Sequence, residues 1–423
     1  MTTYKVLHFN KINRLLGSVK ITHIILVALL VRTVWALLIP VSPVSDSHAY
    51  DTFARNIASG HGYGWLPTEP IATWAVGTSA IYAVFYKIFG VNYLPIVIFN
   101  IFLGTGITIL VFTLASHWFG DLSGVIAGLI IALCPGQVMF TTVLASELIF
   151  EFLILLAMYT FLIYSTEIIK KSVLTGVLLA SATYVRTVGL LLPAVFGLIF
   201  YLQNKKLKTT IYCIGIIFLT MFVLISPWSY RNYKVFNRII LISSNSGTVL
   251  WMGNNPETDG GYMQIPKFDR VMDQPQQDHV LGKIAKQYIT DNPVEFIFRS
   301  LKKILKLHKS DTIGVTWNSK SIVSRFGSGM LIPLKLLSAV FWITMLALGL
   351  IGLYIQYIKQ GIMGLASHPA ALCWLYFTGI HAVFIDSQRY HYPSVPFIAV
   401  LASLTLSEIL VWSGKHSEAS SAS

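Results

Sequence analysis

Charged side chains make up only 12% of this 423-residue sequence, while 55% of it is hydrophobic. A soluble domain carries about 25% charged residues, so the polar surface needed to cover two or three globular domains is missing. Cysteine is almost absent too. Cys134, Cys213 and Cys373 lie far apart in apolar stretches, which excludes a disulfide or zinc framework and reads them as small core residues. Acids are outnumbered, 18 against 31 bases, for a net charge of +13. This excess does not indicate a nucleic-acid partner. Lysine and arginine gather at the ends of apolar runs and in one long polar segment, the distribution set by membrane topology and lipid contact.

What the sequence has in abundance is long apolar runs. A bilayer core about 30 Å thick needs roughly 20 apolar residues per helix. Candidates are 21–40, 93–116, 124–141, 148–165, 209–228, 331–356, 370–385 and 393–412, with 173–202 long enough for two short spans broken near Arg186. The expectation is an α-helical polytopic membrane protein with about ten transmembrane helices. The run 72–89 is short and glycine-punctuated, and reads as an interfacial or re-entrant helix. The residues then divide into a cytoplasmic N-terminus (1–20), a first span (21–40), an outer loop with juxtamembrane helices (41–92) and a transmembrane core (93–228). An outer segment of mixed structure (229–330) follows between spans seven and eight, then the C-terminal spans (331–412) and a cytoplasmic tail (413–423).

Orientation follows from the lysines. Lys5, Lys11, Arg14 and Lys20 precede the first span, and alternate loops carry Lys170 and Lys171, then Lys205, Lys206 and Lys208, then Lys359, with Lys415 in the tail. The opposite short loops hold only Arg186 and Arg389. The positive-inside rule puts both termini in the cytoplasm of a cytoplasmic (inner) membrane and the polar segments outside. The first span is too long for a signal-peptide core and no small-residue cleavage site follows it, so it is expected to stay attached. Within the outer segment, 294–309 alternates an apolar stripe with Arg299, Lys302, Lys303, Lys306 and Lys309, the pattern of a basic helix lying on an anionic membrane surface or of a solvated helix covering the outer domain.

Several polar residues sit where an aqueous cleft would meet lipid head groups. Asp46 lies just beyond the first span, where its carboxylate could serve as a general base or, with Ser45, as a helix cap. Asp51 falls on another face of the same helix. His48 and His61 could bind a divalent metal with a carboxylate, though their spacing matches no metal motif, and Glu69 in "PTEP" could orient a cation or sugar hydroxyls. Glu147 and Glu151 stand one turn apart at the start of a span, and Arg32 inside the first span is a candidate partner for either. Arg186, Arg231 and Arg389 each adjoin a span boundary, individually head-group anchors and together a cationic pocket for a departing phosphate.

The order of these features resembles a known family. A first span followed by D-S-x-x-Y-D-x-F-A-x-x-I-A-x-G-x-G-Y, then "WAVGTSAIYAVFYKIFG", "SPWSYRNYKVF", "GNNPETDGGY" and "DSQRYHYPSVPFIAVLA", is similar to the GT-C glycosyltransferases, in particular the dolichyl-phosphate-mannose-protein mannosyltransferase-like enzymes of family 39. The resemblance implies inverting transfer of a monosaccharide from a polyprenyl-phosphate sugar donor to a lipid, glycan or protein acceptor at the outer face. It implies Asp46 as general base, Glu147 as a second acid, and Arg389 as a holder of the carrier phosphate. The paired Asp-Glu of the eukaryotic protein mannosyltransferases is here Asp46-Ser47 and no carbohydrate-binding module is present, which weighs against protein as the acceptor. The family includes metal-dependent and metal-independent members, so a divalent metal stays open. The rival reading is a transporter or flippase of lipid-linked sugars, which calls for paired broken helices in two related halves; only 173–202 is interrupted and no internal repeat is evident. A non-catalytic scaffold using the outer loop as a binding surface is a third.

Overall fold

The computed structural model describes residues 19–268 and 272–421, with side chains through 413. Lys5, Lys11, Arg14 and the side chain of Lys415 lie outside the described residues.

Helix α1 (Ile21–Leu38) is followed by two shorter helices, α2 (Asp46–Ala58) and α3 (Gly77–Phe89), which pack on one another. The loop between them closes over the rings of Phe53, Tyr63, Trp65 and Trp74. At its far end Asp51 of α2 is held by Tyr86, Tyr93 and Arg55, at 2.5, 3.1 and 3.0 Å, which fixes its structural role. Gly77 lets α3 begin against α8 (Ile168–Val185), since a Cβ there would stand 2.6 Å from the Tyr184 carbonyl.

Between these, α4 (Leu94–Phe119) and α5 (Asp121–Leu133) form a tight hairpin around Gly120, whose φ of 88° suits glycine. The chain then bends by 50° at Cys134–Pro135 into α6 (Pro135–Met139) and a 3-10 turn. A bend of this kind orphans carbonyls at the end of α5. Arg32, fully buried on α1, donates to those of Ile131 and Ala132 at 3.2 and 3.3 Å. It caps the break and pairs with neither glutamate, contrary to expectation. Glu151 instead accepts from Gln137 at 2.7 Å.

Helix α7 (Glu147–Met158) continues through a π-turn to Ile163. Helix α8 ends where Arg186 becomes extended, and α9 (Leu192–Asn204) resumes after a 3-10 turn. The expected break thus falls on Arg186 itself. Helix α10 (Leu207–Phe236) runs well past the apolar stretch 209–228. The outer segment, expected to be mixed, consists of helices and loops: α11 (Ser246–Gly253), α12 (Gln274–Asp291), α13 (Pro293–Leu307), α14 (Ile313–Trp317) and α15 (Ser319–Phe326). Among the described residues there is no strand, only an isolated bridge between Gly64 and Pro70. The chain finishes with α16 (Leu331–Ala366), kinked at Gly361, then α17 (Pro369–Val383) and α18 (Val395–Ser421). Helix α18 packs between α16 and the α4–α5 hairpin.

Among the described residues seven helices are long and apolar enough to cross a membrane, or eight if the bent α5–α6 pair is one span. The count of ten is not reached on these grounds, because α7 and α17, both expected as spans, are short.

Helix α13 is amphipathic as expected, but oriented differently. Most of its basic face turns inward, with Lys302 left exposed, and its apolar face turns outward. Arg299, Lys303 and Lys306 bond to the loop at 253–259 and to the chain after α17, while Val294, Ile297, Phe298, Leu301 and Leu305 are exposed.

Candidate active site

Asp46 is the first residue of α2, and Ser45 before it adopts φ 52° and ψ −131°. Such a conformation in a non-glycine residue costs about 1–3 kcal/mol and persists only where the surroundings enforce it. Ser45 makes no capping bond with its side chain, and the Asp46 carboxylate is directed to Arg389, 2.7 Å away. The helix-cap explanation of this acid is therefore replaced by an ion pair.

Arg389 opens the 3-10 turn between α17 and α18 and reaches a second carboxylate, Glu147, at 3.3 Å. Glu147 begins α7, is almost wholly buried, and also accepts from Arg186 at 2.8 Å. Arg186 further donates to Ser146 at 3.3 Å, next to the Tyr50 hydroxyl. Four segments distant in sequence thus contribute two carboxylates and two guanidiniums to one chain of contacts, Asp46–Arg389–Glu147–Arg186, whose formal charge is zero. Rings complete the floor: Arg389 lies over Trp317 and Tyr390, at 4.9 and 5.3 Å, and Arg186 over Tyr390 at 5.8 Å. Burial, reinforced by Asp46 and Glu147, pushes the Tyr50 phenol up to about 12, so it remains a neutral hydrogen-bonding group.

Asp46, Arg186 and Arg389 of the quartet line a cavity of about 850 Å³, together with Tyr50 and Ser146. The opposite wall is the strap 238–246, fastened to α10 by Trp228, Ser229 and Asn232, which donate to the carbonyls of Ile242, Leu241 and Ile240. The residues after α17, with His381 stacked on Tyr390 at 4.6 Å, form the third side.

Not every candidate is brought here. Arg231 donates to the carbonyls of Ile71 and Tyr63 and lies over the Trp228 ring; it ties the first outer loop to α10 and does not line the cavity. Glu69, His48 and His61 are exposed and away from it. Among the described residues no group of three or more His, Cys, Asp or Glu is placed to hold a metal. The two carboxylates of the quartet are already matched by guanidiniums, so the donor set does not fit a divalent cation.

Tyr50, Ser146, His381, Trp317 and Tyr390 were not singled out from the sequence. Tyr50 was within reach, being four residues after Asp46 and so on the same helical face. Nothing local marked His381 or Trp317.

Residues 74–230, somewhat more than a third of the chain, match the dolichyl-phosphate-mannose-protein mannosyltransferase family. Among solved structures, ArnT from Cupriavidus metallidurans superposes with a TM-score of 0.57 at 12% identity, over 91% of this chain and 59% of that one. The oligosaccharyltransferase of Archaeoglobus fulgidus, solved with zinc and sulfate, does so with a TM-score of 0.55 at 15% identity, over 94% and 51%. The same archaeal enzyme, AglB, in complex with an inhibitory peptide and a dolichol-phosphate, gives 0.52 at 13% identity, over 92% and 50%. The chain has the GT-C fold. It spans about half the length of the archaeal enzyme it resembles, and no curated protein matches it by sequence. The segment that matches the mannosyltransferase family begins at Trp74, so it includes Glu147 and Arg186 but neither Asp46 nor Arg389.

Proposed function

We propose that this protein transfers a monosaccharide from a polyprenyl-phosphate-linked donor to a hydroxyl-bearing acceptor at the outer face of the cytoplasmic membrane, with inversion at the anomeric carbon. The observation that carries this reading is Arg389 held between two carboxylates, Asp46 and Glu147, at the edge of a large cavity. A phosphodiester entering the cavity competes with Asp46 for Arg389, and the exchange frees the carboxylate. The acceptor oxygen attacks the anomeric carbon as the bond to the phosphate oxygen breaks. Asp46 takes the acceptor proton, and the departing phosphate keeps the electron pair, its added negative charge met by Arg389. Glu147 anchors both arginines and does not itself touch the acceptor. Support also comes from the fold and from the dolichol-phosphate found with AglB.

The test uses the full chain purified in detergent with polyprenyl-phosphate mannose or another polyprenyl-phosphate monosaccharide and a bacterial lipid extract as acceptor source. Transfer without a sealed membrane, lost in Asp46→Asn, is the expected result. Movement of the donor across sealed vesicles with no transfer in detergent would overturn it in favour of transport.

A further inference from the structure

Helix α13 is 15 residues long, about 22 Å, too short for a hydrocarbon core of about 30 Å. Three of its four basic residues are already used, and Lys302 stays exposed. Lys303 is buried and donates to the carbonyls of Gly253, Val383 and Phe384, at 3.4, 3.0 and 3.0 Å, and to the Asn254 side chain. Lys306 pairs with Asp259 at 2.8 Å, and Arg299 bonds to Glu295, Tyr288 and the carbonyls of Asn255 and Thr258. On the other side Val294, Ile297, Phe298, Leu301 and Leu305 are 54–73% exposed, a continuous apolar stripe with no protein against it among the described residues. A contiguous apolar stripe of this kind is rare on a water-facing surface and marks a place of contact. The helix packs along α17, a short apolar helix that itself packs on the spanning-length α18, so the stripe adjoins the membrane-crossing part of the fold.

We infer that α13 is an interfacial helix whose apolar stripe lies among the acyl chains of the leaflet that borders the cavity. It is held to the protein by Arg299, Lys303 and Lys306, so it docks on lipid mainly by apolar contact, with only Lys302 left to meet head groups. The inference stands apart from the transfer reaction. Its consequence is positional: Lys303 grips the Phe384 carbonyl, and Phe384 lines the cavity. The α13 anchor therefore sets that side of the cavity at head-group depth, where a phosphate attached to a membrane lipid is found.

Because Cys134, Cys213 and Cys373 are all buried, a single exposed cysteine can be labelled selectively. Leu301→Cys carrying an environment-sensitive fluorophore, in full-length protein reconstituted into phosphatidylcholine nanodiscs, reads the position directly, with Ile265→Cys on an outer loop as the aqueous reference. At 301 we expect several-fold stronger quenching by lipids spin-labelled near the carbonyl than by aqueous iodide, the reverse at 265, and no change when anionic lipid or salt is added. Iodide quenching at 301 equal to that at 265 would overturn the inference. Protection from both quenchers, with a doubled mass in solution, would overturn it in favour of a second copy on the stripe. Quenching that appears only with anionic lipid would overturn the apolar mode of docking. Unchanged melting in detergent verifies that the label leaves the fold intact.

Discussion

Arg389 and Asp46 come from opposite ends of the chain and meet at 2.7 Å, with the arginine side chain nearly buried and the aspartate side chain 27% exposed. The partner is thus fixed in the protein while the acid faces the cavity, an arrangement in which an incoming anion can displace the acid and leave the arginine in place.

Asp46→Asn should therefore separate two properties. Transfer should fall by roughly 10²–10⁴-fold, the usual contribution of a positioned general base. Binding of polyprenyl monophosphate, followed by calorimetry in detergent, should be at least as tight as in the parent protein, because Arg389 has lost one of its two anions. Weaker binding in this variant would contradict the exchange of Arg389 between acid and phosphate.

Arg389→Lys should recover little of what Arg389→Ala loses. A guanidinium can reach Asp46 and Glu147 with different nitrogens, whereas an ammonium is a point charge on a flexible stem. Both variants should raise the donor concentration needed for half-maximal transfer. A lysine variant equal to the parent would show that one charge suffices there.

Arg231→Ala should act on stability and not on chemistry. It removes donors from the Ile71 and Tyr63 carbonyls, a loss of about 1–3 kcal/mol if those groups stay dry. The melting temperature should fall while kcat and donor KM at low temperature stay near the parent values. A selective rise in donor KM would return Arg231 to the phosphate site.

Lys303 predicts a pH dependence. Burial holds its ammonium at about 8, below the ordinary 10.5, so between these values the unfolded chain keeps a proton that the folded chain has released. Stability then rises as pH climbs from 8 towards 10.5, relieving a burden carried in full below that window. Thermal melts of the parent protein should display the rise, and Lys303→Met should lack it.

Much of the architecture was legible in the sequence because apolar length depends on the membrane and on little else. The polytopic helical fold, the break at Arg186 and the place of Asp46 just beyond the first helix are local consequences of composition. The site was legible only in pieces. Arg231 and Arg389 look alike in sequence, each an arginine beside aromatics at a span end, and only the packing of α10 against the first outer loop separates them. The orientation of α13 was equally hidden. Both stripes were visible, but the inward face was decided by carbonyls at 253–258 and by Asp259, far enough away that no periodicity could register them. Arg32 was read as a partner for a buried acid because a charge inside a span invites one, yet a broken helix supplies acceptors without any net charge.

That last contact bears on how this protein can move. In transporters with interrupted helices, the loosened carbonyls at the break are often the groups that take up and release a passing ion. Here the carbonyls of Ile131 and Ala132 are occupied by Arg32, whose own helix crosses beside them. The bend at Cys134–Pro135 is a bolted joint. A conformational change around the cavity is then expected away from this bend, as in the strap 238–246 that forms one of its walls.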